Sequence, residues 1–357
     1  MRVILKRMIA VPSNRARVRK LLALAGASAL VFTGCSSGTD SIAEREAPPT
    51  ESSSEPDVNI VATTTIWADI ASRSLCGLEV ASVIPAGADP HTFETSLADR
   101  ASLEQADLVV ANGLALEEGL VDLLATVAAG GTPVIEMTEA VAIRDMGDDH
   151  DDEHSDDEDH GDEHADDEDH DHDDEDHTDE HHHDHSGSDP HIWLDPINVA
   201  STVNLITEAA IDAGFDTSVR ACAQDFIDEI EALDTEIADD LSAIPSDRRF
   251  LVTNHDALGY FAERYGFEVV GTVIPSLSTL AETNPADLAD LAAIIEELDI
   301  PTVFSEEQAS ARDADALADA IPGLTVVALD TGSLRDTDDD YLSMMRRNVT
   351  AIAEALG

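Results

Sequence analysis

Residues 148–189 set the first constraint on any fold this chain can adopt. These 42 positions hold 24 Asp or Glu and 11 His, no Lys or Arg, and one apolar side chain, Ala165. Such a segment has nothing to bury, and we expect it to be a disordered, solvated loop. The core must therefore be built from the sequence on either side of it.

Both flanks alternate between strand-like and helix-like patterns. Before the tract, strand-like runs are "VNIVATTT" (58–65), "EVASVIPAG", "DLVVANG" and "PVIEMT". Between them lie the helical stretches "IWADIASRSLCG", "LADRASLEQA" and "LEEGLVDLLATVAAGG". After the tract, strands "RFLVTN", "FEVVGTVI", "PTVFSE" and "LTVVALD" alternate with helices in the same way. Strands separated by helix-length crossovers imply parallel sheets in an α/β fold. Asp195 is a suitable N-cap and Pro196 fits a first helical turn, so a helix of about five turns is expected from 196 to Gly214. The expectation is two α/β lobes, 58–195 and 215–357, with mostly parallel sheets, joined by one long backbone helix at 196–214.

The first 57 residues read differently. Seven of the 19 Lys and Arg fall within residues 1–20, ahead of the apolar run "LLALAGASALVFTG" (21–34) and Cys35. A basic segment, a short apolar run and small residues before a cleavage point form a secretory signal. Thr33-Gly34-Cys35 resembles a bacterial lipobox, with Phe32 where that pattern usually has Leu. Lipidation at Cys35 is expected, followed by a Ser/Pro/Glu-rich tether over 35–57. Without residues 1–34 the chain keeps 12 arginines against 76 acids, a net charge of −64 with neutral His. That surface repels nucleic acid and suits cations. Cys76 and Cys222 remain, and an exported chain with two cysteines leads us to expect a disulfide between them.

Outside the tract there are three histidines, His91, His191 and His255. His91 and His191 each follow Asp-Pro, in "AGADPHTFE" and "SDPHIWLDP". Proline restricts itself and the residue before it, so each tripeptide is a stiff loop that can aim an imidazole. All three histidines, and Asp330 after "TVVAL", lie at strand ends or element junctions, where open α/β sheets bind ligands. Three imidazoles and one carboxylate would make a tetrahedral shell suited to Zn²⁺, with Mn²⁺ or Fe²⁺ as alternatives. Glu306 or Glu307 is placed to orient a ligand imidazole. Trp67 and Trp193 are expected to pack between lobes. Phe93 and Tyr260 are expected in the core, with shielding of the metal as the alternative.

Through "NIVATTTIWADIA", "IPAGADPHTFE", "SDPHIWLDP", "TNHDALGYFAERYG" and "LDTGS", in that order, the chain resembles the solute-binding lipoproteins of zinc/manganese ABC transporters, the ZnuA-like group. The resemblance covers about 58–357. It implies two lobes with a metal in the cleft, held by His91, His191, His255 and Asp330. Manganese members typically carry Glu where this chain has His255, which implies zinc. It also implies a permease and its ATPase as partners, a lipid-anchored, extracytoplasmic monomer, and no enzymatic activity. The tract resembles the loop of zinc members, and His150, His154, His160, His164, His170, His172, His177, His181, His182, His183 and His185 are then weak metal sites. The competing readings are a manganese carrier, a zinc hydrolase and a metal-dependent adhesin.

Overall fold

The computed structural model describes residues 58–145 and 187–357. The expected signal, Cys35, the tether and the eleven tract histidines lie outside these residues. Ser188 and Asp189, read from sequence as the end of a disordered loop, are described. Asp189 is wholly buried and belongs to the fold.

Two four-stranded parallel sheets repeat one topology. The first contains β1 (Ile60–Ala62), β2 (Ala81–Ser82), β3 (Leu108–Ala111) and β4 (Val134–Glu136) in the order β2-β1-β3-β4. The second contains β5 (Phe250–Thr253), β6 (Glu268–Thr272), β7 (Thr302–Glu306) and β8 (Thr325–Leu329) in the order β6-β5-β7-β8. Inner strands β1, β3 and β7 are buried along their whole length. Helices cover both faces of a parallel sheet, which explains the unbroken apolar character of β1 and β3, while β7 ends in the buried polar pair Ser305 and Glu306 next to the site.

The covering helices start where the sequence supplies caps. In α1 (Thr65–Ser74), Thr64 accepts from the Trp67 N–H. Ser96 and Asp99 form a reciprocal capping box for α2 (Leu97–Glu104). The remaining helix of the first lobe is α3 (Val121–Gly130). Asp195 caps α4 (Pro196–Asp212) through the Ile197 N–H, with Pro196 in its first turn. Then come α5 (Val219–Leu241), α6 (Gly259–Tyr265), α7 (Pro285–Glu297, capped by Asn284), α8 (Arg312–Ala320) and α9 (Tyr341–Leu356).

The link between lobes is broader than the single helix expected. α5 buries Val219, Ala223, Phe226, Ile230, Leu233, Ile237 and Leu241. Their spacing of three and four residues forms one apolar stripe along 23 residues. Against α5 pack α4 and α1 from one side and α9 from the other. One contiguous apolar core therefore runs from Ile60, Trp67 and Val110 to Leu251, Phe261 and Leu356. Each sheet has a smaller cluster of its own beyond this. Cys76, just past α1, is disulfide-bonded to Cys222 in the first turn of α5.

Candidate metal centre

The carboxyl ends of both sheets face the cleft between the lobes, and the three histidines meet there. His191 Nε2 lies 3.3 Å from His91 Nε2 and 3.1 Å from His255 Nε2. All three residues are buried, at 1–5 % exposure. Among the described residues they form a cluster with metal-ligand spacing.

Local geometry explains the aim of each ring. In both Asp-Pro-His loops the aspartate Oδ1 accepts the histidine backbone N–H at 3.0 Å. This Asx-type turn, with proline between, fixes where the imidazole leaves the chain. Asn112, at the end of β3, accepts from Trp67 Nε1 at 3.0 Å and donates to the Pro190 carbonyl at 2.9 Å. Trp193 Nε1 donates to the Thr331 carbonyl of the other lobe at 2.7 Å. The second loop is thus stitched to both sheets. His255 follows β5, and the Thr253 hydroxyl donates to its carbonyl at 2.7 Å.

Behind each ring stands a carboxylate. Asp189 Oδ1 is 2.9 Å from His191 Nδ1, and Glu306 Oε1 is 2.5 Å from His255 Nδ1. Glu118 Oε1 is 3.8 Å from His91 Nδ1. At His191 and His255 the carboxylate holds the proton on Nδ1 and leaves the Nε2 lone pair for a metal, whereas Glu118 stands beyond hydrogen-bond reach of His91 Nδ1. Glu118 can come this close because Gly119 follows it. A Cβ on Gly119 would lie 2.2 Å from the Phe93 carbonyl oxygen.

The electrostatics differ from ligand to ligand. Burial, reinforced by the neighbouring His255 and His91, pushes the His191 imidazolium well below its ordinary range. Burial also acts to lower His255, but Glu306 outweighs it and holds that imidazole above its ordinary value. Burial raises Asp189 to about 6, opposed by the His191 N–H and by Arg144. Glu118 is lowered, chiefly by its interaction with His91, which outweighs the opposing effect of burial, with a smaller contribution from Ser278.

Asp330, the fourth ligand read from the sequence, lies outside the histidine cluster found among the described residues. Its Oδ1 accepts from Arg335 Nε at 2.9 Å and its Oδ2 from Arg347 Nε at 3.0 Å. Position at a strand end does not fix side-chain direction, and two arginines beside a buried carboxylate claim both its oxygens. The residues of that loop lining the histidine pocket are Thr331 and Gly332, together with Gln308. Glu307 is exposed and lies 3.6 Å from Arg335. Trp67 and Trp193 are fully buried, and Phe93 packs half-buried in the first sheet's outer cluster. The Tyr260 hydroxyl donates to the Asp189 carbonyl at 3.1 Å and accepts from the Arg144 N–H at 2.9 Å. Tyr260 therefore clamps the second loop and does not cover the metal pocket.

The model of the ZnuA family, described as "Zinc-uptake complex component A periplasmic", matches residues 60–355. The chain belongs to this family. Among its relatives is "Zinc-binding protein TroA" of Treponema pallidum (strain Nichols), 25% identical over 280 residues, 76% of this chain and 79% of that protein. "High-affinity zinc uptake system protein ZnuA" of Bacillus subtilis (strain 168) is 27% identical over 284 residues, 78% of this chain and 81% of the relative. "Manganese-binding lipoprotein MntA" of the same organism is 26% identical over 342 residues, covering 91% and 95%. The solved structure of periplasmic zinc-binding TroA from Treponema pallidum superposes with a TM-score of 0.68 at 24% identity, over 84% of this chain and 99% of that one. ZnuA-family members named for zinc and for manganese are thus about equally similar, and the donor atoms must distinguish the metal.

Sequence reasoning missed three contributors to this ZnuA-family site. Asp189 was read only as a turn residue. Glu118 lies 27 positions from His91 and carried no signal within the run "LEEGL". Arg144 is the sole Lys or Arg between residues 100 and 220, an isolation that could have flagged it.

Proposed function

We propose that this chain captures Zn²⁺ outside the cytoplasm and delivers it to the permease of an ABC importer driven by its ATPase. The observation that carries the reading is the nitrogen-only cluster. Three imidazole Nε2 atoms converge, the His191 and His255 rings are backed by a carboxylate at Nδ1, and among the described residues no carboxylate oxygen joins the cluster. Tetrahedral Zn²⁺ with Zn–N of 2.0–2.1 Å spaces its ligand nitrogens about 3.3 Å apart, close to the 3.1 and 3.3 Å here. Imidazole suits zinc, whereas carboxylate suits manganese. Asp330, the one acid the sequence offered as a ligand, is occupied by arginine. The family's description as a zinc-uptake component and the names of TroA and ZnuA support the same reading. The lipoprotein naming of MntA supports acylation at Cys35, and the tract histidines serve as weak, dispensable metal sites.

The test is metal analysis of the purified full chain, anomalous scattering at the zinc edge, and competition titration with Zn²⁺ and Mn²⁺. One tight zinc per chain at His91, His191 and His255, removed by His191→Ala, is expected. Tight binding elsewhere, or a preference for Mn²⁺, would sink the proposal.

A further inference from the structure

The geometry points to Arg144 as a positioning residue that sets metal affinity through Asp189 and His191. This inference rests on the reading of the histidine cluster as a zinc site.

The His191 Nε2 lies within 3.3 Å of both other Nε2 atoms, so its placement bears on the whole cluster. Its direction depends on one carboxylate. Asp189 Oδ1 accepts both the His191 backbone N–H at 3.0 Å and its imidazole Nδ1 at 2.9 Å. Asp189 is fully buried, and a buried carboxylate oxygen left without a partner is costly enough to make the side chain turn away. Arg144 Nη1 lies 3.3 Å from Asp189 Oδ2, the oxygen that does not touch His191. Guanidinium, carboxylate and imidazole thus stand in line. The guanidinium fixes the carboxylate from one side, and the carboxylate fixes the direction of the imidazole from the other.

Three further features serve this contact. The Asp189 N–H donates to the Arg144 carbonyl at 2.8 Å, so the two backbones are joined as well as the side chains. Tyr260 holds both residues through its hydroxyl. Gly259 leaves room for the guanidinium: a Cβ there would lie 2.3 Å from Arg144 Nη1 and 2.8 Å from Asp189 Oδ2. The other two ligands lack this arrangement. Among the described residues neither Glu118 nor Glu306 is paired with an arginine. The support is therefore specific to His191.

The test compares Arg144→Gln, Arg144→Lys and Gly259→Ala in the full chain. Zinc affinity is measured by competition, Co²⁺ visible absorption reports ligand geometry, and the melting temperature of the metal-free protein reports the fold. Arg144→Gln should weaken zinc about ten- to a hundredfold, the usual effect of removing support behind a ligand, and should change the Co²⁺ spectrum. Arg144→Lys should recover most of that loss, because the charge returns. Gly259→Ala should reproduce the loss with Arg144 still present, and combining it with Arg144→Gln should add little, since both act on one contact. Zinc affinity within twofold of the parent in Arg144→Gln, with an unchanged Co²⁺ spectrum, overturns the proposal. So does an equal loss in Gln and Lys variants that follows the melting temperature, which would make Arg144 merely structural. If the parent binds no zinc at the cluster, as judged by an inert His191→Ala, the zinc reading fails and this proposal with it. Parent binding with an inert Arg144→Gln removes this proposal alone.

Discussion

The loops at 89–91 and 189–191 share a tripeptide and a backbone turn, yet they hold their histidines in different ways. In both, the aspartate caps the histidine N–H at 3.0 Å. Asp189 then directs its side chain inward, to its own imidazole and to Arg144. Asp89 reaches out instead, accepting from the Thr279 hydroxyl of the other lobe at 2.6 Å. The acid behind His91 comes from elsewhere in the lobe: Glu118, 37% exposed and also bonded to the Ser278 hydroxyl. The tripeptide therefore supplies aim, and the neighbours supply rigidity. His191 is a sealed hub, whereas His91 is an arm whose supporting contacts cross the cleft.

The sharpest way to break this contrast is to remove each ring. A zinc shell provides about 10–16 kcal/mol, so a hub ligand is worth roughly 3–4 kcal/mol, and His191→Ala should weaken zinc by several hundredfold. His91→Ala should cost about tenfold less. Equal losses in competition titration would show that hub and arm do not differ. Next come the aspartates. Asp189→Asn should cost about ten- to a hundredfold in zinc affinity, and Asp89→Asn less than about fivefold. The reverse order would place the rigid support at the first loop.

Acid sharpens the picture by setting His191 against His255. Glu306 holds His255 above the ordinary 6.5, so its imidazolium must lose a proton before it can bind zinc. Affinity should therefore fall as pH drops through that raised value, by up to about tenfold per pH unit for each proton displaced. His191 lies well below 6.5 and is already neutral there. Glu306→Gln should move the fall in affinity to lower pH, measured by zinc titration across pH 5.5–8 (roughly one unit either side of free histidine). A profile that stays in place would remove Glu306 as its cause. The smallest effect belongs to the cross-cleft contact: Thr279→Val removes one hydrogen bond, about 1 kcal/mol, and should speed zinc release about fivefold in stopped-flow. An unchanged release rate would mean that the arm is not held from across the cleft.

Much of the fold was legible because parallel sheets write themselves as apolar runs separated by helices. Each of the eight strands falls within a run picked out by sequence. The runs were too long where a strand gives way to a cap: "VNIVATTT" yields β1 over Ile60–Ala62, and Thr64 then caps α1. Edge strand β2 keeps two residues of "EVASVIPAG" because only its inner side is paired. The three histidines were legible because all the others fall in the tract. Asp330 shows what a strand end leaves open: it specifies position without side-chain direction, and here Arg335 and Arg347 contact both carboxylate oxygens. Glu118 and Arg144 were out of reach for a different reason. Their roles depend on contacts 27 and 45 positions away, and no periodic pattern reports those.

Asp145 and Ser188 pair across an antiparallel bridge, with the Ser188 hydroxyl donating to Asp145 at 2.8 Å. The chain thus leaves the fold and returns to it through adjoining positions. Loop-closure entropy grows only logarithmically, about 0.6 kcal/mol for each doubling of length. An insertion at this doorway can lengthen, shorten or change composition over generations at almost no cost to the folded lobes. Changes within the insertion are then nearly decoupled from the lobes, whereas changes at Arg144 and Asp189, at its threshold, reach the His191 loop directly.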